Sequence, residues 1–408
     1  MTDAKLPEPN YDEARVPDCV LPEALLCTNG RTVTSVNDWE TLRRPELLEL
    51  FRAHVYGRIP EEAAGVSLTV EHEERFTTLE GRAEATQYAV VLSSRRGTLP
   101  LDVLLVLPAG GGPVPVFTAL NFRGNHTILA DPRIRITHSW IPADEGVVNN
   151  RATAAARGSR ADRWPLDLIV SSGYGLAAAY CGDLDPDYDD GFLNGVHGLV
   201  SVPSGRDRQS WGTISGWAWG LSRIVDLLLT NPRVDPARIA VLGHSRLGKA
   251  ALWAAAQDSR FAAAISNDSG CGGAAITRRE YGETVWAITT RFPHWFCEAF
   301  AGYANRADAL PVDQHELLAV IAPRPVAVGS AEDDRWADPY GEYLSVYHAG
   351  PVYRLYGHET VRTPERPRTG ARVGDRVRYH CRGGGHDLSR EDWKQYLDVL
   401  DASLSQEL

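Results

Sequence analysis

The stretch Val241-Leu242-Gly243-His244-Ser245-Arg246-Leu247-Gly248-Lys249 decides the fold. It continues an apolar run that begins at Ile239, breaks at a glycine, presents one serine and resumes as a helix-forming segment. That is the pattern of a strand, a sharp turn and a helix, with a nucleophile at the turn. A serine hydroxyl is a weak nucleophile at neutral pH. It needs an exposed, strained position, a nearby base, and N–H groups aimed at the oxyanion. Gly243 lets neighbouring backbone approach the serine, and Gly248 lets the following helix pack close to the strand. The spacing is Gly-x-Ser-x-x-Gly, one residue longer than the commonest nucleophile-turn motif, so a surface serine in an ordinary turn competes until a base and an acid are found.

Working outward, residues 66–70, 86–92 and 101–107 alternate in polarity and are separated by Gly81, Arg95-Arg96-Gly97 and Gly110-Gly111-Gly112. They read as antiparallel strands at one edge of a sheet. The rhythm then changes to short, wholly apolar runs at 114–120, 176–181, 239–242, 262–266 and 326–329, the signature of parallel strands buried on both faces. Helical periodicity marks 46–56, which follows Pro45, and also 211–229, which stops at Asn231-Pro232, and 249–257. The expectation is one α/β domain over 1–408: a mostly parallel sheet with antiparallel N-terminal edge strands and helices on both faces. Residues 1–60 form a wrapping segment and helix. Two long irregular insertions, 121–165 and 183–210, wall the catalytic face.

Composition narrows the function classes. A net charge of −11 and a pI near 5.6 argue against nucleic acid or an anionic membrane as partner. No apolar run approaches a membrane span, and the opening Met1-Thr2-Asp3-Ala4-Lys5-Leu6-Pro7 has neither a basic segment nor an apolar one of the signal-peptide kind, so a cytoplasmic location is expected. Six cysteines without a CxxC pair read as free thiols rather than a zinc site. The acidic run from Asp183 to Asp190 lacks the glycine and closing glutamate of an EF-hand, so its acids read as hydrogen-bonding loop residues. No metal, no cofactor and no obligatory protein partner is expected.

In such sheets ligands bind beyond the carboxyl ends of the strands. Ser245 follows one strand, Asn267-Asp268 the next, and Glu332-Asp333-Asp334 the one after. His386 follows in Gly383-Gly384-Gly385-His386, before a helix that Ser389 can cap. The chain order Ser, Asp, His is that of the α/β-hydrolase sheet. Ser245 is then the nucleophile, His386 the general base and acid, and a carboxylate fixes the histidine tautomer.

Beyond the serine motif, the chain carries Ile265-Ser266-Asn267-Asp268-Ser269-Gly270-Cys271-Gly272-Gly273, Phe292-Pro293-His294-Trp295-Phe296-Cys297, Asp334-Arg335-Trp336-Ala337-Asp338-Pro339, Asn121-Phe122-Arg123-Gly124-Asn125-His126 and Arg163-Trp164-Pro165. Together they make the chain resemble, over nearly its whole length, bacterial glucuronoyl esterases of carbohydrate esterase family 15. The resemblance implies a uronate-ester carbohydrate as substrate, with the ester of (4-O-methyl-)glucuronic acid cleaved through an acyl-enzyme. It also implies that Arg246 adds its guanidinium to the oxyanion and that Lys249, one helical turn beyond Ser245, contacts a sugar hydroxyl. Two acids compete for His386. Asp268 stands where many members carry glutamate, while Asp334 stands where most α/β hydrolases place their acid; the shorter aspartate side chain tilts the choice to Asp334. The family's glutamine and glutamate ahead of its Trp-Phe pair have no counterpart between Gly282 and Phe296, and Phe292 stands at the glutamate's place. Trp336 and Tyr353 are candidates for an aromatic sugar platform. The missing sugar contacts keep a carbohydrate deacetylase or general carboxylesterase as the alternative, with a catalytically dead binding homologue third.

Overall fold

The computed structural model describes residues 8–200 and 205–404, so the first residues of the wrapping segment and residues 201–204 of the second wall lie outside the described residues. Ten strands build one sheet: β1 (Ser67–Thr78), β2 (Ala83–Ser94), β3 (Gly97–Pro108), β4 (Val114–Asn121), β5 (Gly175–Tyr180), β6 (Val234–His244), β7 (Ala263–Asn267), β8 (Val326–Ala331), β9 (Arg372–Gly374) and β10 (Val377–Arg382). Their spatial order is β1-β2-β3-β5-β4-β6-β7-β8-β10-β9. The first three form an antiparallel meander whose outer strand is largely exposed, and β5, β4, β6, β7, β8 and β10 run parallel. This is the α/β-hydrolase arrangement. Strands β5, β7 and β8 are buried along their whole length, as strands covered on both faces must be.

The helices that position the site are α1 (Arg44–Phe51), α2 (Thr213–Leu228), α3 (Arg246–Gln257), α4 (Pro339–Leu355) and α5 (Arg390–Leu404). Strand alternation divides the core between them. Ile239 and Val241 point to the cluster that holds Trp217 of α2, Trp253 of α3 and Val346 of α4. Ala240 and Leu242 point the other way, to Trp393, Tyr396 and Leu400 of α5. Neither face of β6 is free to tilt, so the turn at its end is held from both sides. Among the described residues no helix is long and apolar enough to cross a membrane, and the six cysteines are free thiols, five of them buried.

The structure adds three elements that the sequence reading does not give, helix α4 and strands β9 and β10, and moves one boundary. The 249–257 helix starts earlier, at Arg246, immediately after the serine. Strand β10 was not anticipated at all, because Val377-Arg378-Tyr379-His380-Cys381-Arg382 carries charge into the sheet. His380 and Arg382 are nevertheless buried, each paired with Asp392 of α5.

Candidate active site

Ser245 closes β6 with φ 58° and ψ −132°, a conformation that non-glycine residues rarely occupy and that lifts the side chain out of the strand line. The turn is tight enough to need its glycines. A Cβ on Gly243 would sit 2.0 Å from the Leu247 carbonyl oxygen, and one on Gly248 would meet the Gly243 carbonyl and the Ser269 Cβ at 3.0 Å. The Ser245 N–H still continues the ladder, donating to the Asn267 carbonyl at 2.8 Å. Helix α3 begins at the next residue, so its unpaired first N–H groups and its positive dipole end lie beside the hydroxyl.

Across a cavity of about 230 Å³, His386 faces the same space as Ser245. Its Nδ1 lies 2.6 Å from Oδ2 of Asp334; the imidazole is 43% exposed while the carboxylate is 6% exposed. An ionised carboxylate only accepts, so Nδ1 carries the proton and Nε2 of the neutral ring is the acceptor. The ring of His244 packs on that of His386 at 4.5 Å between centroids. Burial above all, with Arg163, Arg382 and Arg246 also nearby, pushes the His244 imidazole well below its usual range.

Asp268 is close by and differently engaged. A carboxylate oxygen of Asp268, one of Asp334 and a ring nitrogen of His386 lie within 4.8 Å of one another. Oδ1 of Asp268 accepts the Ala331 N–H at 2.8 Å, and Oδ2 accepts Asn267 Nδ2 at 2.8 Å and Arg382 Nη2 at 3.4 Å. Burial raises its carboxyl well above the ordinary range, with the Glu342 and Asp334 carboxylates adding to this and Arg382 opposing. Two carboxylates and an imidazole also make a metal-donor set, but here Nδ1 and both Asp268 oxygens are already hydrogen-bonded.

Arg246 lines the cavity with its Nε 2.6 Å from Asp187 Oδ2 and its guanidinium 4.6 Å from the centre of the Phe122 ring. Asp187 also accepts from Trp295 Nε1 at 2.8 Å. Burial alone would raise the Asp187 carboxyl; His294, Arg246 and Trp295 outweigh it and hold the group below the usual carboxylate range. The first insertion supplies the wall, through Phe122, Arg123, Arg160, Arg163 and Trp164.

A family profile described as "Glucuronyl esterase, fungi" matches residues 206–357. Carbohydrate esterase MZ0003, from an unknown prokaryotic organism, is 43% identical over 400 residues, covering 96% of this chain and 91% of that relative. The chain belongs to carbohydrate esterase family 15. It is an esterase of the bacterial glucuronoyl-esterase type. A promiscuous CE15 esterase from a marine bacterial metagenome superposes with a TM-score of 0.91 at 42% identity, covering 97% of this chain and all (100%) of that one. A glucuronoyl esterase from Solibacter usitatus gives 0.88 at 41% identity, covering 96% and 100%. The 4-O-methyl-glucuronoyl methylesterase 1 of Wolfiporia cocos is 28% identical over 361 residues, 86% of this chain and 74% of that one.

Within this family 15 esterase, two expected substrate contacts are placed elsewhere. The Lys249 ammonium, expected at the mouth, is buried and donates to the carbonyls of Ser269 at 2.5 Å and Cys271 at 2.6 Å, with Glu283 at 3.4 Å. Its three N–H donors thus tie α3 to the loop after β7, because one helical turn along α3 faces that loop rather than the cavity. Tyr353 is fully buried in α4, its hydroxyl donating to the Arg324 carbonyl at 2.9 Å, so it is a core residue. Trp336 stays half-buried two residues beyond Asp334, beneath the Arg291 guanidinium at 5.5 Å. Phe292 stacks on Trp295 at 3.7 Å and 4°, filling its place with an aromatic contact. Sequence reasoning missed Asp187, taken as one more loop acid, and the arginines of the first wall. Two of these share one carboxylate, Asp144, which takes Arg123 at 2.8 Å and Arg160 at 2.6 Å. An arginine-rich stretch with acids interposed was the available signal.

Proposed function

We propose that the chain hydrolyses esters of 4-O-methyl-glucuronate or a related uronate through a serine acyl-enzyme. The observation that carries this reading is the 2.6 Å His386–Asp334 pair on the cavity that holds Ser245. Ser245 Oγ attacks the ester carbonyl carbon as its proton passes to His386 Nε2. The tetrahedral oxyanion forms beside the Arg246 N–H and guanidinium. Collapse breaks the bond to the alcohol oxygen, which takes the proton from Nε2. Water, deprotonated by the same nitrogen, then attacks the acyl carbon; the proton returns to Ser245 and the uronic acid leaves. Asp334 holds the tautomer and stabilises the imidazolium. Family membership and the relatives named for glucuronoyl ester cleavage support the acyl side.

A general carboxylesterase or carbohydrate deacetylase on the same site is the second reading. It is favoured by the withdrawal of Lys249 from the cavity. Turnover of methyl or benzyl glucuronate against p-nitrophenyl acetate separates the two, with Ser245→Ala as control. The proposal expects higher kcat/KM on the glucuronate esters and loss of about six orders of magnitude in kcat for Ser245→Ala, the scale of losing a serine nucleophile. Acetate turnover with no glucuronate turnover favours the second reading.

A further inference from the structure

His386 sits in a loop that ought to be loose. Three glycines precede it, Gly384 with φ 86°, and glycine leaves the backbone more freedom than any other residue. Yet the loop's carbonyls are held almost without gap. The Arg382 carbonyl accepts from Glu332 N–H at 2.9 Å and the Gly384 carbonyl from Asp333 N–H at 3.0 Å, which binds the loop to the segment that carries Asp334. Three further carbonyls converge on one side chain. Arg382 Nη1 donates to Gly383 at 3.0 Å and to Gly385 at 3.1 Å, and Nη2 donates to Asp387, so the guanidinium grips the chain on both sides of His386. Asn267 Nδ2 adds a second bond to the Asp387 carbonyl at 3.0 Å.

The remaining two donors of Arg382 fix the guanidinium itself. Nε donates to Asp392 Oδ2 at 2.7 Å, and Nη2 reaches Asp268 Oδ2 at 3.4 Å. Asp392 is fully buried and is itself oriented, accepting from Ser389 N–H and lying 2.8 Å from His380 Nε2. All five N–H donors of a guanidinium that is 5% exposed are therefore engaged, in the planar fork that only arginine offers. Nothing about this arrangement is needed to finish the strand. An apolar residue at the end of β10 would pack there without placing two acids beside it.

We infer that Arg382 is the positioning residue of the catalytic loop, setting His386 against Ser245 by clamping the carbonyls of Gly383, Gly385 and Asp387, and that Asp268 serves the reaction through Arg382 rather than by contact with the imidazole. The inference rests on the assignment of His386 as general base. Arg382 touches neither substrate nor the reacting atoms; its effect is on the geometry of the base, where a displacement of about 1 Å is enough to lower a rate by roughly 10²-fold.

The test uses the full chain with Arg382→Lys, which keeps the positive charge between Asp268 and Asp392 but supplies a point ammonium with three donors in place of the fork. On benzyl glucuronate, kcat should fall by about 10²-fold with KM little changed, in a protein whose circular dichroism matches that of the unaltered chain. A residue important only for folding would lower the melting temperature and leave kcat of the folded protein intact. A folded Arg382→Lys enzyme with unaltered kcat overturns the inference. Should Arg382→Lys not fold, ¹⁵N relaxation of the glycines in the unaltered protein decides: order parameters near about 0.85 for Gly383, Gly384 and Gly385 support a clamped loop, and values below about 0.6 overturn it. His386→Ala, run in parallel, separates the two levels. If it retains full kcat, the base assignment fails and the inference with it; if it is inactive while folded Arg382→Lys is fully active, only the clamp fails.

Discussion

Asp334 and Asp268 close neighbouring strands, β8 and β7, and lie within one small cluster with His386, yet their oxygens are engaged in opposite directions. Asp334 turns Oδ2 out to the imidazole at 2.6 Å. Asp268, with φ 47°, turns both oxygens inward, to the Ala331 N–H, the Asn267 amide and Arg382. The two are nearly equally buried, at 6% and 2% exposure, so burial does not separate them. What separates them is competition. A carboxylate orients a histidine only if no stronger donor set claims it first, and at Asp268 the adjacent strand and a guanidinium do so. One layer down, His380 and Asp392 form a second His–Asp pair at 2.8 Å, whose histidine is only 7% exposed where that of His386 is 43% exposed.

The largest expected effect that sharpens this contrast is at Asp334. Asp334→Asn keeps the shape but offers the wrong group to Nδ1, and kcat should fall by about four orders of magnitude on an activated ester, with the fold unchanged by circular dichroism. Asp268→Asn should lower kcat by about 10 to 100-fold, the scale of losing a supporting contact to a site residue. Lys249→Met removes the donor from two buried carbonyls and from Glu283, so it should cost about 1–3 kcal/mol in a urea titration and leave KM for glucuronate esters unchanged. A raised KM in a stable variant would return Lys249 to the substrate.

The smallest effect is on acid stability. Burial alone would raise the Asp392 carboxyl, but His380, Ser389 and Arg382 together hold it below its usual value. The unfolded group titrates near about 3.9, so the folded state binds fewer protons below that point. Its stabilising contribution is complete above this pH and is lost as pH falls through the lower folded value. Asp392→Asn should therefore be less stable at pH 7 but show a shallower loss of melting temperature between about pH 5 and pH 2. An equally steep acid limb would place that linkage elsewhere.

Much of this was legible because the sheet writes its interior plainly. Runs such as 239–242 and 326–329 are apolar on consecutive residues only where both faces are covered, and Gly243 and Gly248 flank a serine only where backbone must approach within a Cβ's width. Strand β10 was illegible for the complementary reason: its buried His380 and Arg382 are met by Asp392 on a helix, a pairing in space that leaves no periodic trace. Lys249 misled because a helical turn gives the face of a side chain but not what packs against that face. Tyr353 misled because the sequence does not show that it lies near the end of α4, where its hydroxyl meets Arg324 at the amino end of β8, away from the cavity. The preference for Asp334 was argued from side-chain reach. The structure supplies a different reason, the donors already gathered around Asp268.

The central claim, that Asp334 rather than Asp268 orients the base, is tested most directly without any choice of substrate. The second-order rate of fluorophosphonate labelling of Ser245 reports the nucleophile–base pair alone and is measured for folded Asp334→Asn and Asp268→Asn side by side. The account predicts that Asp334→Asn labels more slowly than Asp268→Asn by about 10²-fold. Slower labelling of Asp268→Asn would contradict it and assign the orienting role to the acid after β7.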